Sequence, residues 1–344
     1  MTNRLCDNPD LFTIVMPIKD RPDFLKRSLD FLISQGFSGQ VVIADGSSED
    51  MGLENKQIVD NQKEIKIIYV YTADVSRNMD FWIEMHQALE GIEYKYSLLC
   101  PDDDFFFLDE IDYCLDFLEN NEDYVSARGR FVWIDQSYNN NGEIGQLSES
   151  DQIVFSSMPM YSFTEPVVER RIADMFSYYC HGFYDIVRGN VFLDALNQIP
   201  KYFSRSAWFE QFACTILCGI HGKTHTSPRL YCVRQRHSGQ SQVRESRADP
   251  YHHWPMLLAS PDFSDIYQSF RQCLIDNCRE FVSASDELLT SVIDKGLVTL
   301  IQRGYGVRPP LEGQDHELMS RLKDSSSCDH QRMRQVAYIL RSSN

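Results

Sequence analysis

The sequence lacks the features that would place it across a membrane or among disulfide-rich secreted proteins. No apolar run approaches the roughly 18 residues expected of a membrane-spanning helix. The first ten residues, MTNRLCDNPD, are polar and have no apolar core of a signal peptide. Ten cysteines are present without a single CxxC pair, which predicts buried free thiols rather than a zinc site. We therefore expect a cytoplasmic protein, and peripheral attachment to a membrane stays open.

Positive charge is also scarce. Lysine and arginine number 33 against 50 aspartates and glutamates, so the formal net charge is -17. A surface of this sign repels nucleic-acid phosphates, and a nucleic-acid partner is not expected. The apolar fraction of 43% and the aromatic fraction of 12% are those of a folded globular protein rather than a disordered one.

Strand and helix patterns alternate over the first hundred residues. Strands are predicted at residues 12–18, 41–44, 65–71 and 96–100, the first of them buried. A helix is predicted from Pro22, where a proline lacking its N–H costs nothing, to just before Gly36. This alternation predicts an α/β fold with a mostly parallel, Rossmann-like sheet flanked by helices. From residue 250 onward the patterns are mainly helical.

Polar residues follow three of these strands. Asp20 and Arg21 follow the first, Asp45 ends the second, and a run of carboxylates, Asp102 to Asp104, follows the fourth. Ligands of open α/β sheets bind outside the carboxyl ends of the strands. The placement of these residues therefore predicts a binding site at that edge.

The carboxylate run is the most specific of these features. Three adjacent carboxylates repel one another unless something compensates them. A divalent cation that also binds phosphate oxygens is one such partner. Alternate residues of an extended segment point the same way, so Asp102 and Asp104 are expected to flank one site. The alternative is a solvated acidic turn at the start of the following helix.

Four segments of the first 105 residues, taken in order, resemble family 2 glycosyltransferases of the GT-A class. They are TIVMPIKDRPDFLKRSL, VVIADGSSED, SRNMDFW and YSLLCPDDDFF. The resemblance implies a GT-A fold, a nucleotide-sugar donor and a metal-binding Asp-x-Asp motif. The donor-binding residues that it implies are Pro17, Asp20, Arg21, Asp45, Arg77, Asn78, Asp102 and Asp103.

The second half would supply the acid–base chemistry. A base must take the proton of the attacking acceptor hydroxyl. The segment Trp208-Phe209-Glu210-Gln211 resembles the region where the family places its acidic base, although Gln211 stands where an aspartate is usual. Glu210 is the predicted base and Asp185 is the rival; a surface glutamate is the plain alternative for Glu210.

A histidine after the last strand completes the implied metal site. His237 closes the segment LYCVRQRH, and the resemblance implies Asp104, Asp102 and His237 as ligands of Mn²⁺ or Mg²⁺. Arg236 and Arg244 lie nearby, and arginine suits a diphosphate. The glycine- and serine-rich residues 237–247 predict a lid over the donor.

We thus expect two regions in the chain. Residues 1–249 would form the GT-A domain, with a donor half at about 10–105 and an acceptor half at about 106–249, and residues 250–344 would be a helical extension. The oligomeric state stays open.

The expected function is metal-dependent transfer of a sugar, with inversion, from a UDP- or GDP-linked donor to a glycan or lipid-linked acceptor. Two alternatives remain. One is a non-catalytic carbohydrate-binding or scaffold protein on the same fold. The other is a sugar-1-phosphate nucleotidyltransferase, which is disfavoured because the first loop has no glycine.

Overall fold

A computed structural model describes residues 4–72, 81–135, 154–157, 160–178, 182–202, 207–237, 258–304 and 316–342. These residues form nine β-strands in one sheet, eleven α-helices and two short 3-10 helices. The sheet order is β3-β2-β1-β4-β8-β6-β9-β5, with β7 paired to β6. The α/β class predicted from the alternating pattern is confirmed.

The N-terminal half supplies four parallel strands and three helices. Its elements are β1 (Phe12–Ile18), α1 (Pro22–Ser34), β2 (Gln40–Asp45), α2 (Glu49–Asn61), β3 (Lys66–Tyr71), α3 (Phe81–Leu89) and β4 (Tyr96–Leu99). Strands β1, β2 and β4 are buried throughout or nearly so, because they are continuous apolar runs covered on both faces. Ile18 pairs with Asp45, so the loops after β1 and β2 begin side by side.

The second half turns the sheet into a mixed one. Its elements are β5 (Phe105–Phe106), α4 (Leu108–Asn120), β6 (Tyr124–Asp135), β7 (Val154–Ser157), α5 (Val168–Ser177), β8 (Ile186–Arg188), α6 (Gly189–Tyr202), α7 (Ala207–His221) and β9 (Lys223–Arg236). Strand β9 runs parallel to β6 and antiparallel to β5. Phe105 pairs with Val233, so the residue before β5 lies beside the residue that follows Val233. This register brings Asp104 to Arg234.

The last four helices pack against the earlier elements and contribute residues to the same hydrophobic cores. They are α8 (Phe263–Cys278), α9 (Asp286–Gly304), α10 (His316–Lys323) and α11 (Cys328–Ser342). Helix α8 packs on α7, and α9 packs on α5. Helices α10 and α11 bury Leu318, Val336 and Leu340 in a second core with Phe105 and Val233. The predicted domain boundary at residues 249 and 250 lies outside the described residues.

The cysteines and the helices of the described residues bear on two further expectations. The nine cysteines among them are all free thiols, eight of them buried, as the spacing indicated. In the described ranges, none of the helices is both long and apolar enough to cross a membrane.

Candidate functional site

The carboxylate run is buried at the carboxyl edge of the sheet. Asp102, Asp103 and Asp104 are 0%, 6% and 2% exposed, so the solvated-turn alternative is wrong. The expected extended conformation is also wrong, because Asp102 and Asp103 form a turn in which the Asp104 N–H donates to the Pro101 carbonyl at 3.2 Å. The turn sends the three side chains to different partners.

Arg21 is the partner of the first two carboxylates. It lies between β1 and α1, and its guanidinium contacts Asp102 and donates from Nη1 to Asp103 Oδ2 at 3.2 Å. The Ser28 hydroxyl on α1 donates to the Asp102 carbonyl at 2.7 Å. The loop after β1 therefore holds the loop after β4, as neighbouring strands of a parallel sheet allow.

Strand β9 and the residue after it supply the other partners. Arg234 donates from Nε to Asp104 Oδ2 at 2.8 Å, and the Gln235 N–H donates to Oδ1 at 3.3 Å. The Gln235 side-chain amide donates to the Asp103 carbonyl. His237 is buried, and its Nε2 lies 3.1 Å from Asp103 Oδ2. The structure thus brings His237 to the carboxylate run, but to Asp103 rather than to the implied metal ligands Asp102 and Asp104.

Two aromatic rings fix the Arg234 side chain. Its guanidinium lies 4.2 Å from the centroid of Trp133 and 4.0 Å from that of Tyr184, and Nη2 donates to the Tyr184 hydroxyl at 2.7 Å. Arg236, exposed at the end of β9, lies over the same Trp133 ring at 5.1 Å. Aromatic faces stabilise a desolvated cation that lies against them. The two rings therefore hold the Arg234 guanidinium in one orientation.

On balance, burial disfavours the ionised form of two of the three carboxylates. It raises the pKa of Asp102 to about 8 and that of Asp104 to about 7, with Arg21 and Arg234 offsetting part of the effect. Burial acts on Asp103 too, but the His237 hydrogen bond and Arg21 outweigh it and lower its pKa to about 2. Among the described residues, Asp102 Oδ2 is buried without a hydrogen-bond partner. A further positive charge would stabilise the ionised run.

The metal ligands implied by the family resemblance do not converge in the described residues. No group of three or more histidine, cysteine, aspartate or glutamate side chains in that part of the chain is arranged to hold a metal ion. The donor types are nevertheless those that Mn²⁺ accepts, three carboxylates and an imidazole. Within the described ranges, Asp102 Oδ2 is buried without a hydrogen-bond partner, and such an oxygen is available to bind a cation.

Asp45 anchors the loop after β2 to α2 and β3, and Asp20 joins that loop to the loop after β1. Asp45 is fully buried and accepts from the Ser47 N–H at 2.8 Å, the Asn55 amide at 2.9 Å and the Tyr69 hydroxyl at 2.6 Å. Asp20 has a φ of 53°, and its Oδ1 accepts from both the N–H and the hydroxyl of Ser48 at 2.8 Å.

These contacts make the two loops one rigid surface beside the carboxylate run. Aspartate is among the residues that tolerate the left-handed region best, which suits Asp20 to this turn. Pro17, half-buried in β1, pairs with Ala44 one residue before the strand ends.

Glu210 lies on the first turn of α7 and contacts the donor half of the molecule. Its Oε2 accepts a hydrogen bond of 2.9 Å from the indole Nε1 of Trp82 on α3. Glu210 is half-buried, whereas Trp82 is only 3% exposed. The predicted base is therefore not a surface glutamate.

Asp185, the rival base, is engaged in a buried ion pair. Arg128 Nη1 donates to both of its carboxylate oxygens, at 2.9 and 3.1 Å, and the Ser126 hydroxyl donates to Oδ2 at 3.2 Å. Burial raises the pKa of Asp185 to about 6 against the opposing effect of Arg128. The contacts of Asp185 are those of a structural pair.

We expect Arg128→Met to lower the free energy of unfolding by about 3–5 kcal/mol, because it leaves the Asp185 carboxylate buried without its cation. Chemical denaturation measures the loss. Lys26→Met, which breaks the exposed pair with Asp30, is the matched control and should cost far less. Equal losses of unfolding free energy in the two variants would contradict a structural role for the buried pair. An Asp185→Asn variant that keeps its stability but transfers no sugar would contradict it too.

Three predicted site residues, Arg77, Asn78 and Arg244, lie outside the described residues. Sequence reasoning missed Ser28, Gln235, Trp133 and Trp82. Each lies inside an ordinary apolar or mixed segment, and no pattern there marks the residue itself. Only the pairing of β5 with β9 and the packing of α3 near α7 reveal their contacts.

Comparisons with known proteins give structural likenesses alone. No family model and no curated protein matches the chain. Among solved structures, S. aureus TarS matches at 15% identity with a TM-score of 0.48, over 90% of this chain and 46% of that one. The chain thus spans about half the length of that TarS structure.

Shorter forms of S. aureus TarS, residues 1–349, match similarly. A complex with UDP-GlcNAc matches at 14% identity and a TM-score of 0.49, over 88% of this chain and 77% of that one. A complex with UDP matches at 12% identity and a TM-score of 0.46, over 97% and 90%. These low identities and TM-scores carry no argument about function.

Proposed function

We propose that this protein is a glycosyltransferase that moves a sugar from a nucleoside-diphosphate donor to an acceptor hydroxyl. The observation that carries the proposal is the buried carboxylate run with Arg21, Arg234 and His237 around it, at the sheet edge where α/β folds bind nucleotides. Even with two arginines and a histidine beside it, the buried run keeps one carboxylate oxygen, Asp102 Oδ2, without a hydrogen-bond partner among the described residues, and a bound cation would compensate it.

A diphosphate and a divalent cation would complete this charge pattern. Asp102, Asp104 and His237 do not converge in the described residues and would have to turn toward one another to hold Mn²⁺ or Mg²⁺. The cation would supply positive charge to the leaving diphosphate when bound. Asp103 would keep its contact with Arg21. The arginines that neutralise the carboxylates are also suited to phosphate oxygens, because a guanidinium binds both in the same two-pronged way. Arg236 and Arg244 would add to the diphosphate contacts.

The nucleoside would lie against the loops after β1 and β2. Asp20 holds these two loops together, Asp45 fixes the start of the second, and Pro17 leads into the first. Arg77 and Asn78 follow β3 in the sequence and would approach the same nucleoside. A UDP- or GDP-linked sugar is the donor that we propose, with a glycan or lipid-linked acceptor.

Glu210 would act as the general base. The acceptor oxygen forms a bond to the anomeric carbon, the bond from that carbon to the phosphate oxygen breaks, and the acceptor proton passes to Glu210. The nucleoside diphosphate leaves with the bonding electrons. Attack from the side opposite the leaving group inverts the anomeric centre.

A thermal-shift screen with and without Mn²⁺ tests the donor class. UDP or GDP should raise the melting temperature, and Mn²⁺ should increase the rise, because a ligand at a hundred times its Kd stabilises the native state by about 2.7 kcal/mol. ADP and free sugars are the controls. A protein stabilised by free sugars and by no nucleotide would be a carbohydrate-binding scaffold, and the proposal would be wrong.

A further inference from the structure

Trp82 is a buried residue whose only polar side-chain atom points at the proposed base. Its indole Nε1–H donates to Glu210 Oε2 at 2.9 Å, across 128 residues of sequence. An indole N–H can donate but never accept, so this contact favours a charged or accepting carboxylate on Glu210. We propose that Trp82 is a positioning residue that orients the Glu210 carboxylate for proton abstraction; this rests on the proposed function.

The two partners come from opposite halves of the site. Trp82 lies at the start of α3, which packs on β1 and β2 beside the proposed nucleoside surface. Glu210 lies on the first turn of α7, which α8 backs through Phe209 and Phe270. The hydrogen bond therefore fixes the base relative to the donor half, and that relation sets the approach of the acceptor to the anomeric carbon.

A series of packed side chains connects Trp82 to the carboxylate run. The Trp82 ring lies 5.5 Å from Phe183, and Phe183 lies 5.3 Å from Tyr184, both edge-to-face. The Tyr184 hydroxyl accepts from Arg234 at 2.7 Å, and Arg234 binds Asp104 at 2.8 Å. Close packing of this kind allows little movement of one member without the others. Trp82 thus holds the base at a fixed place relative to the proposed diphosphate site.

The existence of the hydrogen bond can be measured without any substrate. The chain has four tryptophans, so an ¹⁵N spectrum shows four indole N–H signals, and Trp82→Phe assigns one by deleting it. Hydrogen exchange at that indole should be slow and should accelerate at least about tenfold in Glu210→Ala. An exchange rate that Glu210→Ala leaves unchanged would overturn the proposal.

The functional role is tested by a double-mutant cycle. Trp82→Phe keeps an aromatic ring and removes the N–H, and kcat should fall about 10- to 100-fold because the base is misplaced. The KM for the donor should stay within about threefold, since no donor contact is removed. In a Glu210→Gln background, Trp82→Phe should have no further effect on kcat. An equal loss in both backgrounds would show a merely structural role and overturn the proposal.

Tyr202→Phe is the matched control. It also removes one side-chain hydrogen bond between helices, the 2.9 Å contact from the Tyr202 hydroxyl to Asp276, but away from Glu210. Its kcat should equal that of the wild type. Full activity of Trp82→Phe would overturn the inference and leave the glycosyltransferase proposal standing. A wild-type protein that binds no nucleotide and transfers no sugar would defeat the proposed function, and the positioning role with it.

Discussion

Replacing Asp104 by asparagine is expected to reduce kcat/KM for sugar transfer by at least roughly 10³-fold, equivalent to about 4 kcal/mol of transition-state stabilisation. The variant loses the carboxylate that binds Arg234 and that we propose as a cation ligand. Steady-state transfer measured with excess Mn²⁺ checks the loss. Asp30→Asn removes an exposed carboxylate of α1 and should leave the rate unchanged.

The same variant should still fold in the absence of donor, although two effects on the free energy of unfolding oppose each other. Removing the carboxylate leaves the Arg234 guanidinium buried without its anion, which destabilises the folded state. Burial raises the pKa of Asp104 from 3.8 to about 7, so the ionised carboxylate disfavours the folded state. That cost grows as the pH rises from about 4 to about 7 and stays constant above it. Asparagine avoids this cost but loses the charge of the Arg234 pair. A variant that is folded and fully active would contradict the functional assignment.

Glu210→Gln should lower kcat by about 10²–10⁴-fold, because the amide cannot accept the acceptor proton. Donor affinity should stay close to that of the wild type, since the proposed diphosphate contacts are on β9 and on the loops after β1 and β4. Steady-state transfer assays measure kcat, and nucleotide titration measures the donor affinity.

The neighbouring Gln211 is the control for Glu210. It stands where the resemblance would place an aspartate, and Gln211→Ala should keep most of the activity if Glu210 is the base. The reverse result, with Gln211→Ala inactive and Glu210→Gln active, would assign the chemistry of this helix differently. Loss of transfer in Asp185→Asn alone would favour the rival.

The placement of the carboxylate run at the carboxyl edge of the sheet was predictable from sequence because strands and their polar ends are local features. Strands β1, β2 and β4 are apolar runs, and each is followed by charged residues that could lie nowhere but at the carboxyl edge. The length of β9 was not predictable in the same way, because exposed Pro228 and Arg229 interrupt its apolar pattern.

The conformation of the carboxylate run was beyond sequence reasoning. The turn directs two carboxylates to arginines that are distant in sequence. Arg21 lies 81 residues from Asp102, and Arg234 lies 130 residues from Asp104. The antiparallel pairing of two-residue strand β5 with β9 creates the second contact, and so short a strand gives no periodic signal. The Trp82–Glu210 contact depends likewise on helix packing across 128 residues.

The central claim is that the buried carboxylates share a divalent cation with a nucleoside diphosphate. An anomalous difference map from crystals grown with Mn²⁺ and UDP or GDP tests it most directly. We predict a manganese peak within about 2.2 Å of Asp102 or Asp104 oxygens and of the diphosphate, with the nucleoside against the loops of Asp20 and Asp45. A nucleotide bound elsewhere on the protein, with Arg21 and Arg234 still paired to the carboxylates and no manganese beside them, would contradict it.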